Sequence, residues 1–509
     1  MDFVGDIVFN NPNIDPERTA LKWDDGEYSY REFVNLVART AAALKRDGIS
    51  EGDRVAILMG NEPQYLVTYF AIMSIGGIYV PLNWRLNTSE HVNLMTNSGV
   101  KIIVTSSSFA DTIALAQSKM PMLKKVVSID HSGAGVTLFG DWLPQDAPPP
   151  ARPAIQRDDI AAIVYTSGTT SLPKGACLTH RNVTVDIANV TAAYAGAVQT
   201  DKVLQVSPLY HQTIVHTLIH FSQGATVQLI KRFNPEKIAR AISEQKITYI
   251  FLAPTMLYEL LDLPGRDRFD FSSLRSVVYG AAPITGPRLK EAVGVFGQIL
   301  VQAYGLTEAT SHCAALGREE HLEAEGSIGK GIPGVELRVV DEAGKDCPPG
   351  VIGEILVRGP TVMKGYWKED DKTAEAIIDG WLHSGDLARI DERGYMYIAD
   401  RKKDLVISGG ANIYPGDVEE VFAGHPDIAE VAAFGVPDVY WGEALTVAIV
   451  ARPGKTINHE EMRDFAKQNL GGYQVPKRIE VLEELPRNPS GKVLKRVLRE
   501  MFGTDAQVK

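Results

Sequence analysis

Residues 165–175 of the chain read Tyr-Thr-Ser-Gly-Thr-Thr-Ser-Leu-Pro-Lys-Gly. The segment follows the strand-like run 160–164 and precedes a helix that Thr179 can cap. Its five serine and threonine hydroxyls can donate to phosphate oxygens, its glycines let backbone N–H groups approach an anion, and Lys174 adds a positive charge. The stretch therefore predicts a triphosphate-binding loop, with a flexible polar surface loop as the alternative. It is not a Walker A loop, because a glycine, Gly175, follows the lysine.

Around this loop, apolar runs rich in β-branched residues alternate with segments of helical period as far as about residue 300. The predicted strands are 54–59, 100–106, 160–166, 226–230 and 249–252, and the predicted helices are 62–74, 182–193 and 235–245. Such alternation predicts an α/β fold with largely parallel sheets.

The residue composition and the pattern of predicted elements change twice after this region. Nine glycines between residues 326 and 365 separate short strand-like runs, which predicts a turn-rich β subdomain. Beyond the charged run 400–404, helices and strands mix over the remaining hundred or so residues in the pattern of a small α+β domain. We therefore predict an N-terminal domain over 1–400, a boundary at 401–404 and a C-terminal domain over 405–509.

Composition excludes several classes of protein. With 509 residues, 45% of them hydrophobic and 23% charged, the chain is neither mainly disordered nor a coiled coil nor a collagen. A net charge of −11 disfavours non-specific binding to nucleic acid. Cys177, Cys313 and Cys347 fit neither a disulfide framework nor a zinc site, which predicts a reducing, cytoplasmic location. No signal peptide is recognised, and the apolar run 65–80 is too short for a membrane span, so a buried helix is predicted there.

The phosphate loop resembles the signature of the adenylate-forming (ANL) superfamily of acyl-CoA synthetases, peptide-synthetase adenylation domains and luciferases, with Ser171 in place of the usual glycine. The resemblance runs nearly end to end and implies a large N-terminal domain of stacked α/β sheets with a β-rich subdomain, followed by a small mobile C-terminal α+β domain. The other matching motifs, in the family's order, are Asn83-Trp-Arg-Leu86, Tyr279-Gly-Ala-Ala-Pro283, Gln302-Ala-Tyr-Gly-Leu-Thr-Glu308, His383-Ser-Gly-Asp386, Asp400-Arg401, Ser408-Gly-Gly-Ala-Asn-Ile413 and Pro489-Ser-Gly-Lys492.

The resemblance implies an ATP site. Asp386 is similar to the aspartate that accepts both ribose hydroxyls, Arg401 to the arginine that assists it, and Tyr304 to the aromatic residue that stacks on adenine. Glu308 resembles the ligand of Mg²⁺, an ion that prefers hard oxygen donors, and Thr166 joins it in that role. The full set of implied ATP and AMP contacts is Thr166, Ser167, Gly168, Thr169, Thr170, Lys174, Gly280, Ala281, Ala282, Tyr304, Gly305, Thr307, Asp386 and Arg401.

Lys492 is the residue that we expect to carry the chemistry, together with Glu308, Thr166 and His211. A carboxylate that attacks an α-phosphate brings two anions together, so a cation between them stabilises the transition state more than the ground state. By resemblance, His211 stands at the gate of an acyl pocket lined by Tyr210, His211, Ile214, Tyr279, Gly280 and Gly305. The segment 203–230 contains no Asp or Glu, which disfavours an α-amino acid as substrate.

A second set of residues is implied for coenzyme A. The glycine-rich stretch Ser408-Gly409-Gly410 resembles the loop that forms the pantetheine tunnel after the small domain rotates, and Lys403 stands at the hinge position. Glycines let a backbone run close to a ligand, although an ordinary tight turn is the alternative. The implied CoA contacts are Arg85, Ser408, Gly409, Gly410, Trp441, Tyr473 and Lys477.

We therefore predict an AMP-forming acid–thiol ligase. It activates a fatty or aromatic acid as acyl-AMP with release of pyrophosphate and then forms the acyl-CoA thioester, with ATP and Mg²⁺ as cofactors and CoA as cosubstrate. The alternatives are an adenylating enzyme that loads a carrier protein or forms an amide, a dehydrogenase, and a non-catalytic nucleotide sensor. The sensor should lack Lys492 or Glu308, and both are present.

Two patterns are set aside. The stretch 329–334 fits Gly-x-Gly-x-x-Gly but contains a proline and leads into a strand-like run, which disfavours the dehydrogenase. His211, His216 and His220 lack the glutamate of a zinc protease, so we expect core or pocket histidines.

The predicted partners are small molecules, without nucleic acid or an integral membrane segment. The resemblance also admits a homodimer. In addition, Pro486-x4-Gly491-Lys492 resembles the pattern that is acetylated in the family, which makes Lys492 a candidate target of a lysine acetyltransferase.

Overall fold

The computed structural model describes residues 2–166, 173–211, 213–282, 284, 286–487 and 493–503. The chain divides into two compact units, residues 1–337 with 357–382 and residues 338–356 with 383–509. The boundary predicted at residues 401–404 concerns a hinge, which is a property of motion, and it stays a prediction.

The larger of two sheets in the first unit has nine strands. Six neighbouring strands run parallel, and antiparallel strands flank them at both edges. In spatial order the strands are Lys330–Gly331, Ala314–Leu316, Leu300–Tyr304, Ser276–Gly280, Tyr249–Leu252, Lys202–Gln205, Thr226–Leu229, Thr19–Trp23 and Gly26–Ser29.

The second sheet of the first unit has eight strands, of which six neighbours are parallel. In spatial order they are Gly365–Tyr366, Gly175–Thr179, Ile160–Tyr165, Ile78–Pro81, Arg54–Leu58, Val100–Thr105, Lys125–Ser128 and Val136–Leu138. The first two are antiparallel additions, and they lie at the edge that carries the predicted phosphate loop.

Helices connect these strands and cover them with apolar side chains. The helices of the first unit are Asp6–Phe9, Tyr30–Arg46, Pro63–Ser74, Thr88–Ser98, Ala110–Lys119, Phe139–Trp142, His180–Val190, Ile214–Ser222, Pro235–Gln245, Pro254–Leu261, Gly286–Phe296 and Asp370–Ala376. Pro63–Ser74 is buried along almost its whole length, as predicted, but the apolar run 65–80 ends in the strand Ile78–Pro81 and not in helix. No helix in the described ranges has both the length and the apolar character needed to cross a membrane.

Beyond residue 335 the sheets are smaller. A five-stranded sheet consists of Glu336–Val340, Gly353–Arg358, Trp381–Ile390, Ile377–Ile378 and Met396–Arg401. Another consists of Ala411–Ile413, Val406–Ser408, Gly442–Ala451, Ile428–Asp438 and Arg478–Leu482, with the helices Pro415–Ala423, His459–Asn469 and Lys495–Gly503. The predicted β-rich region and the C-terminal α+β mixture are thus both present, and the predicted mixed α/β class is confirmed.

The main difference from the predicted elements lies beside the phosphate loop. The strand Gly175–Thr179 was predicted as part of the passage from loop to helix, but it forms a hairpin with Ile160–Tyr165. Its sequence, Gly-Ala-Cys-Leu-Thr, is short and weakly β-branched, so local propensity does not reveal it. The cap at Thr179 is confirmed, because its side chain accepts the N–H of Asn182 at the start of His180–Val190.

Candidate active site

The ends of the predicted phosphate loop are fixed by the hairpin. Tyr165 pairs with Gly175 across the two strands, and the Thr166 N–H donates to the Lys174 carbonyl over 2.9 Å. The Thr166 hydroxyl approaches the same carbonyl at 3.4 Å. Ser167, Gly168, Thr169 and Thr170 lie outside the described residues, and their assignment to phosphate stays a prediction.

A tyrosine from the neighbouring strand joins the two charged residues predicted for phosphate and magnesium. The strand Gly365–Tyr366 pairs with Gly175–Thr179, opposite Ala176. The Tyr366 hydroxyl donates to Glu308 Oε1 over 2.9 Å, and Lys174 Nζ lies 4.8 Å from the Tyr366 ring centroid. Burial raises the pKa of Tyr366, and the charge of Glu308 raises it further, so the phenol remains a donor at neutral pH.

Tyr366 had not been singled out from the sequence. A lone tyrosine carries no signal, and its contact depends on the hairpin strand that was also missed. The backbone of Glu308 is also fixed, because the Met363 N–H donates to its carbonyl over 2.8 Å. A fixed carboxylate oxygen of this kind fits Mg²⁺, which binds through one or two carboxylates plus substrate phosphates.

The residues predicted to surround the purine lie at the ends of two adjacent parallel strands. Gly280 and Ala303 are partners in the pair Ser276–Gly280 and Leu300–Tyr304, so Tyr304 and Gly305 leave the sheet at the same edge. Ligands of open α/β sheets bind at such carboxyl ends. Thr307 and Glu308 follow in the 3₁₀ turn Thr307–Ala309.

The backbone at this edge is crowded. A Cβ on Gly280 would lie 2.4 Å from the Ala303 carbonyl oxygen, and one on Gly305 would lie 1.6 Å from that of Ser311. Ala281 has φ +70°, a left-handed conformation that an alanine adopts only under constraint. The shape of this edge therefore depends on close packing of backbone atoms, which is possible only because Gly280 and Gly305 have no Cβ.

The predicted ribose site lies in the second unit. Asp386 and Arg401 are cross-strand partners, and Arg401 Nε lies 2.5 Å from Asp386 Oδ1. The Asp386 side chain is 5% exposed and that of Arg401 is 38% exposed, so the arginine orients a largely buried carboxylate.

Part of the predicted acyl pocket forms one cavity of about 40 Å³ in the first unit. Tyr210, His211 and Ile214 line it, whereas Tyr279, Gly280 and Gly305 are not among its described walls. The other lining residues are Tyr69, Tyr79, Pro81, Ala162, Val164, Leu178, Val183, Asp186, Val215, Leu218 and Thr310.

The surroundings of two residues predicted for the pocket, His211 and Tyr279, determine a charge state and a hydrogen bond. Burial lowers the pKa of His211 to about 4, and the charge of Arg85 acts in the same direction, so His211 is neutral at physiological pH. The hydroxyl of Tyr279 donates to Gln302 Oε1 over 3.3 Å, within the core beneath the nine-stranded sheet. The pocket roles of both residues stay predictions.

The predicted CoA residues of the second unit cluster at one hairpin. Gly409 and Gly410, with φ +59° and +81°, turn the chain between Val406–Ser408 and Ala411–Ile413, a conformation that favours glycine. The Gly409 N–H donates to the Trp441 carbonyl over 2.7 Å, and Lys477 Nζ lies 4.6 Å from the Trp441 ring centroid.

The remaining predicted CoA residues, Ser408, Tyr473 and Arg85, differ in their burial and in the unit to which they belong. Ser408 is buried, and its hydroxyl has no hydrogen-bond partner within the described chain. Tyr473 is 54% exposed on the turn Gly472–Gln474. Arg85 belongs to the first unit, where its guanidinium lies 4.9 Å from the Trp84 ring centroid.

The predicted catalytic lysine, Lys492, lies outside the described residues. The residues that flank it are held together, because Arg487 and Val493 form a β-bridge and the Leu494 N–H donates to the Pro486 carbonyl over 2.7 Å.

Lys403, the predicted hinge residue, lies between two anchored neighbours. Lys402 pairs with Glu354 at 3.1 Å, and Asp404 pairs with Arg499 at 3.0 Å. Two fixed neighbours around one residue fit a hinge, and that role stays a prediction.

Two protein-family models match the chain. Residues 8–367 match the model of the AMP-binding enzyme family, and residues 417–492 match that of the AMP-binding enzyme C-terminal domain. The chain belongs to the AMP-binding enzyme family, which confirms the resemblance to adenylate-forming enzymes.

Relatives in this family match the chain over nearly its whole length. It is 36% identical over 503 residues to a feruloyl-CoA synthase of an Amycolatopsis species, covering 98% of this chain and 99% of the relative. It is 33% identical to the fatty acid–[acyl-carrier-protein] ligase ScoC of Streptomyces coeruleorubidus, covering 97% and 95%. The crystal structure of ATP-bound MatB from Rhodopseudomonas palustris aligns with a TM-score of 0.92 and 32% identity, covering 99% of this chain and 100% of that one.

Proposed function

We propose that the chain is an ATP-dependent acid–CoA ligase that forms an acyl-AMP and then an acyl-CoA thioester. The observation that carries the first half-reaction is the set Lys174, Tyr366 and Glu308. It puts a cation and an oriented carboxylate beside the predicted phosphate loop. Magnesium bound by Glu308 would neutralise phosphate charge and hold the pyrophosphate leaving group in line.

In the first half-reaction, a carboxylate oxygen of the acid forms a bond to the α-phosphorus of ATP while the bond to pyrophosphate breaks. Both the nucleophile and the phosphate are anionic, so Lys492 stabilises the transition state by bridging them. Lys174 balances the charge of the pyrophosphate that departs. Neutral His211 lies in the cavity of the acid and adds no charge that would hold the carboxylate in its ground state.

In the second half-reaction, the thiol sulfur of CoA bonds to the acyl carbonyl carbon, AMP leaves with the bonding electron pair, and the thiol proton is released. The turn Gly409–Gly410 supports this step, because the backbone at Gly410 has open space where a narrow pantetheine chain can pass, while the Trp441 ring packs against Gly409. Lys477, 4.6 Å from that ring, provides positive charge for CoA phosphates. We propose a rotation at Lys403 that exchanges Lys492 for this turn.

Pyrophosphate release tests the proposal. Straight-chain, branched and aromatic acids are screened with ATP and Mg²⁺, with and without CoA. We expect acid-dependent release, and thioester formation only when CoA is present. In Lys492→Ala, release should fall at least about a thousandfold, while thioester formation from supplied acyl-AMP should largely survive. Equal loss of both half-reactions in a folded variant would refute the role of Lys492.

Lys467→Ala is the matched control. Lys467 is an exposed lysine of the same unit, paired only with Asp464 among the ion pairs of the described chain, and its loss should leave both half-reactions unchanged. A second candidate function is the loading of a carrier protein, which the similarity to ScoC favours. That function predicts pyrophosphate release with every active acid but no turnover of free CoA.

Three finer properties belong to the same proposal. We propose a cytoplasmic location, which three free cysteines support. A homodimer would appear in light scattering as twice the monomer mass of 55.6 kDa. Acetylation of Lys492 would remove the charge needed for adenylation, so enzymatically acetylated protein should resemble Lys492→Ala.

A further inference from the structure

A buried carboxylate lies next to the segment that leads into the predicted ribose site. Glu354 belongs to the strand Gly353–Arg358, which neighbours the strand Trp381–Ile390 that carries Asp386. Glu354 is only 9% exposed. A carboxylate in such a position is costly unless hydrogen-bond donors surround it, so its partners show which parts of the chain it holds in place.

Three groups from two stretches of chain meet on Glu354. Its Oε1 accepts the Gly385 N–H over 3.1 Å, and its Oε2 lies 3.2 Å from His383 Nδ1 and 3.1 Å from Lys402 Nζ. Burial acts to raise the pKa of Glu354, but the hydrogen bonds with His383 and Lys402 and the charge of Lys402 outweigh it and lower the pKa. The carboxylate is therefore ionised at neutral pH, and both of its oxygens are engaged.

The contacts of Glu354 restrain the backbone immediately before Asp386. The strand Trp381–Ile390 departs from extended geometry at Gly385, whose φ of +71° is a conformation that favours glycine. The N–H of Gly385 is bound to the Glu354 side chain, and the Asp386 N–H donates to the Ser384 hydroxyl over 3.0 Å. Glu354 thus holds the part of the strand from which the Asp386 side chain projects.

The partner of Asp386 is restrained in the same way. Arg401 Nε lies 2.5 Å from Asp386 Oδ1, and Lys402, the next residue, forms the ion pair with Glu354. The pair of Asp386 and Arg401 therefore has a contact of Glu354 beside it on each of its two strands. A positioned group that moves by about 1 Å can lose about 100-fold in rate, so this support is expected to matter for a bound nucleotide.

We propose that Glu354 is a positioning residue for ATP, which holds the Asp386 carboxylate where it accepts the hydroxyls of the ribose. This inference rests on the proposed function, and Glu354 acts through Asp386 rather than by touching the nucleotide. Hydrogen bonds to a charged acceptor are strong and directional. A displaced Asp386 is therefore felt through the ribose hydroxyls and not through the phosphates.

A purely structural role of Glu354 makes a different prediction. A carboxylate that only balances the charges of Lys402 and His383 would contribute to stability, and its loss would slow ATP and its deoxy analogues by the same factor. The ratio of kcat/KM between two nucleotides distinguishes the two roles, because it does not depend on how much of the protein is active.

Nucleotide pairs test the proposal. The kcat/KM for pyrophosphate release is measured with ATP, 2′-deoxyATP and 3′-deoxyATP, with one active acid and saturating Mg²⁺. We expect the wild-type protein to prefer ATP over at least one deoxy analogue by about 10- to 100-fold, because each analogue lacks one hydrogen bond to a charged acceptor. In Glu354→Gln this ratio should fall at least about threefold. Glutamine keeps the size of the side chain but has one acceptor oxygen, so it cannot serve both Gly385 and Lys402.

A second variant and a control accompany Glu354→Gln. Lys402→Met removes one partner of Glu354 from a side chain that is 56% exposed, so it should fold and lower the ratio to a smaller extent. Glu336→Gln is the control, because Glu336 is an exposed glutamate on the other neighbouring strand, paired with Arg358, and its ratio should match the wild type. Thermal unfolding checks that each variant is folded.

The outcomes separate this inference from the function on which it rests. If no acid gives pyrophosphate release with ATP, the proposed function fails. If the wild-type protein is active but uses ATP and both deoxy analogues equally well, the ligase proposal survives and the inference fails. A wild-type ratio in folded Glu354→Gln would also overturn the inference, as would an equal fall in Glu336→Gln. If Glu354→Gln does not fold, Lys402→Met decides by the same criterion.

Discussion

The predicted purine edge and the acyl cavity lie in the same unit but are built in opposite ways. At the edge, Gly280 and Gly305 end adjacent strands, and the shape comes from backbone atoms that leave no room for a Cβ. In the cavity, the shape comes from side chains of several helices and strands that are distant in sequence. The predicted purine edge is therefore shaped by backbone atoms and the cavity by side chains.

The two regions also treat polar groups differently. Glu308, which follows the edge, and Lys174, beside the hairpin of the other sheet, already contact Tyr366, so their charges are oriented before a ligand arrives. Among the residues of the cavity wall, the Tyr210 hydroxyl and Oδ1 of Asp186 have no partner in the described chain. The charged side chains near the predicted phosphate loop are therefore paired within the chain, whereas two polar atoms of residues on the cavity wall are not.

Gly305→Ala should have the largest effect. Its Cβ would overlap the Ser311 carbonyl oxygen, so the edge must shift and the adenylation rate should fall by more than about a thousandfold. Pyrophosphate release and ATP affinity measure the loss. Gly294→Ala is the control, because a Cβ there meets no atom within 4 Å. Normal adenylation in the Gly305 variant would show that the edge is not fixed by its backbone.

Asp186→Asn should change the pH dependence of stability. Burial raises the pKa of Asp186 from 3.8 to about 7, so the folded state is favoured at low pH and loses stability as the pH rises through 7. The asparagine variant should escape this loss and gain up to about 4 kcal/mol relative to wild type between pH 4 and pH 8. Urea unfolding at several pH values measures the difference. A constant difference would mean that Asp186 does not titrate in this range.

Tyr366→Phe should leave the Glu308 carboxylate less well oriented without changing the fold. It removes one hydrogen bond to the Glu308 carboxylate, worth about 1.5–3 kcal/mol, so adenylation should fall about 10- to 100-fold. The apparent Mg²⁺ requirement should rise, which a structural role alone would not cause. Tyr28→Phe, on the partly exposed edge strand Gly26–Ser29, serves as the control. An unchanged Mg²⁺ dependence would argue against the role of Tyr366.

Thr179→Ala should have the smallest effect of the four. It removes the cap that joins the hairpin to His180–Val190, the helix of Asp186, at a cost of about 1 kcal/mol. Denaturant unfolding should show this loss of stability. Ser29→Ala, which removes the cap of the helix Tyr30–Arg46, should show a similar loss. Only the Thr179 variant should also alter discrimination between acids, and equal acid profiles in both variants would uncouple the helix from the cavity.

The sequence predicted the strands and helices better than the side chains that surround the cavity. The predicted helix Pro235–Gln245 and strand Tyr249–Leu252 agree with the structure residue for residue, because the helix buries one apolar face and the strand is a short apolar run that is buried throughout. Motifs placed Gly280, Tyr304 and Glu308 in order along the strand ends. Their proximity follows from the parallel order of neighbouring strands.

Tyr366 and Asp186 show what could not be predicted. Tyr366 is positioned by pairing with a hairpin strand of low propensity, and Asp186 is held by the hydroxyl of Ser311, far along the chain. A lone aspartate in a helical segment is usually solvated, so residue type pointed away from its burial. Contacts between side chains from distant elements depend on how those elements pack, so a local sequence pattern does not predict them.

The pairing of Tyr366 with Ala176 has a consequence for the timing of synthesis. The two residues are separated by 190 positions, so Lys174 leaves the ribosome long before the tyrosine that completes its surroundings. At about 5–20 residues per second, that delay is roughly 10 to 40 seconds. Over these 190 residues a nascent chain carries the predicted phosphate loop without the tyrosine beside it, and ATP can stabilise the unit only once this edge strand has emerged.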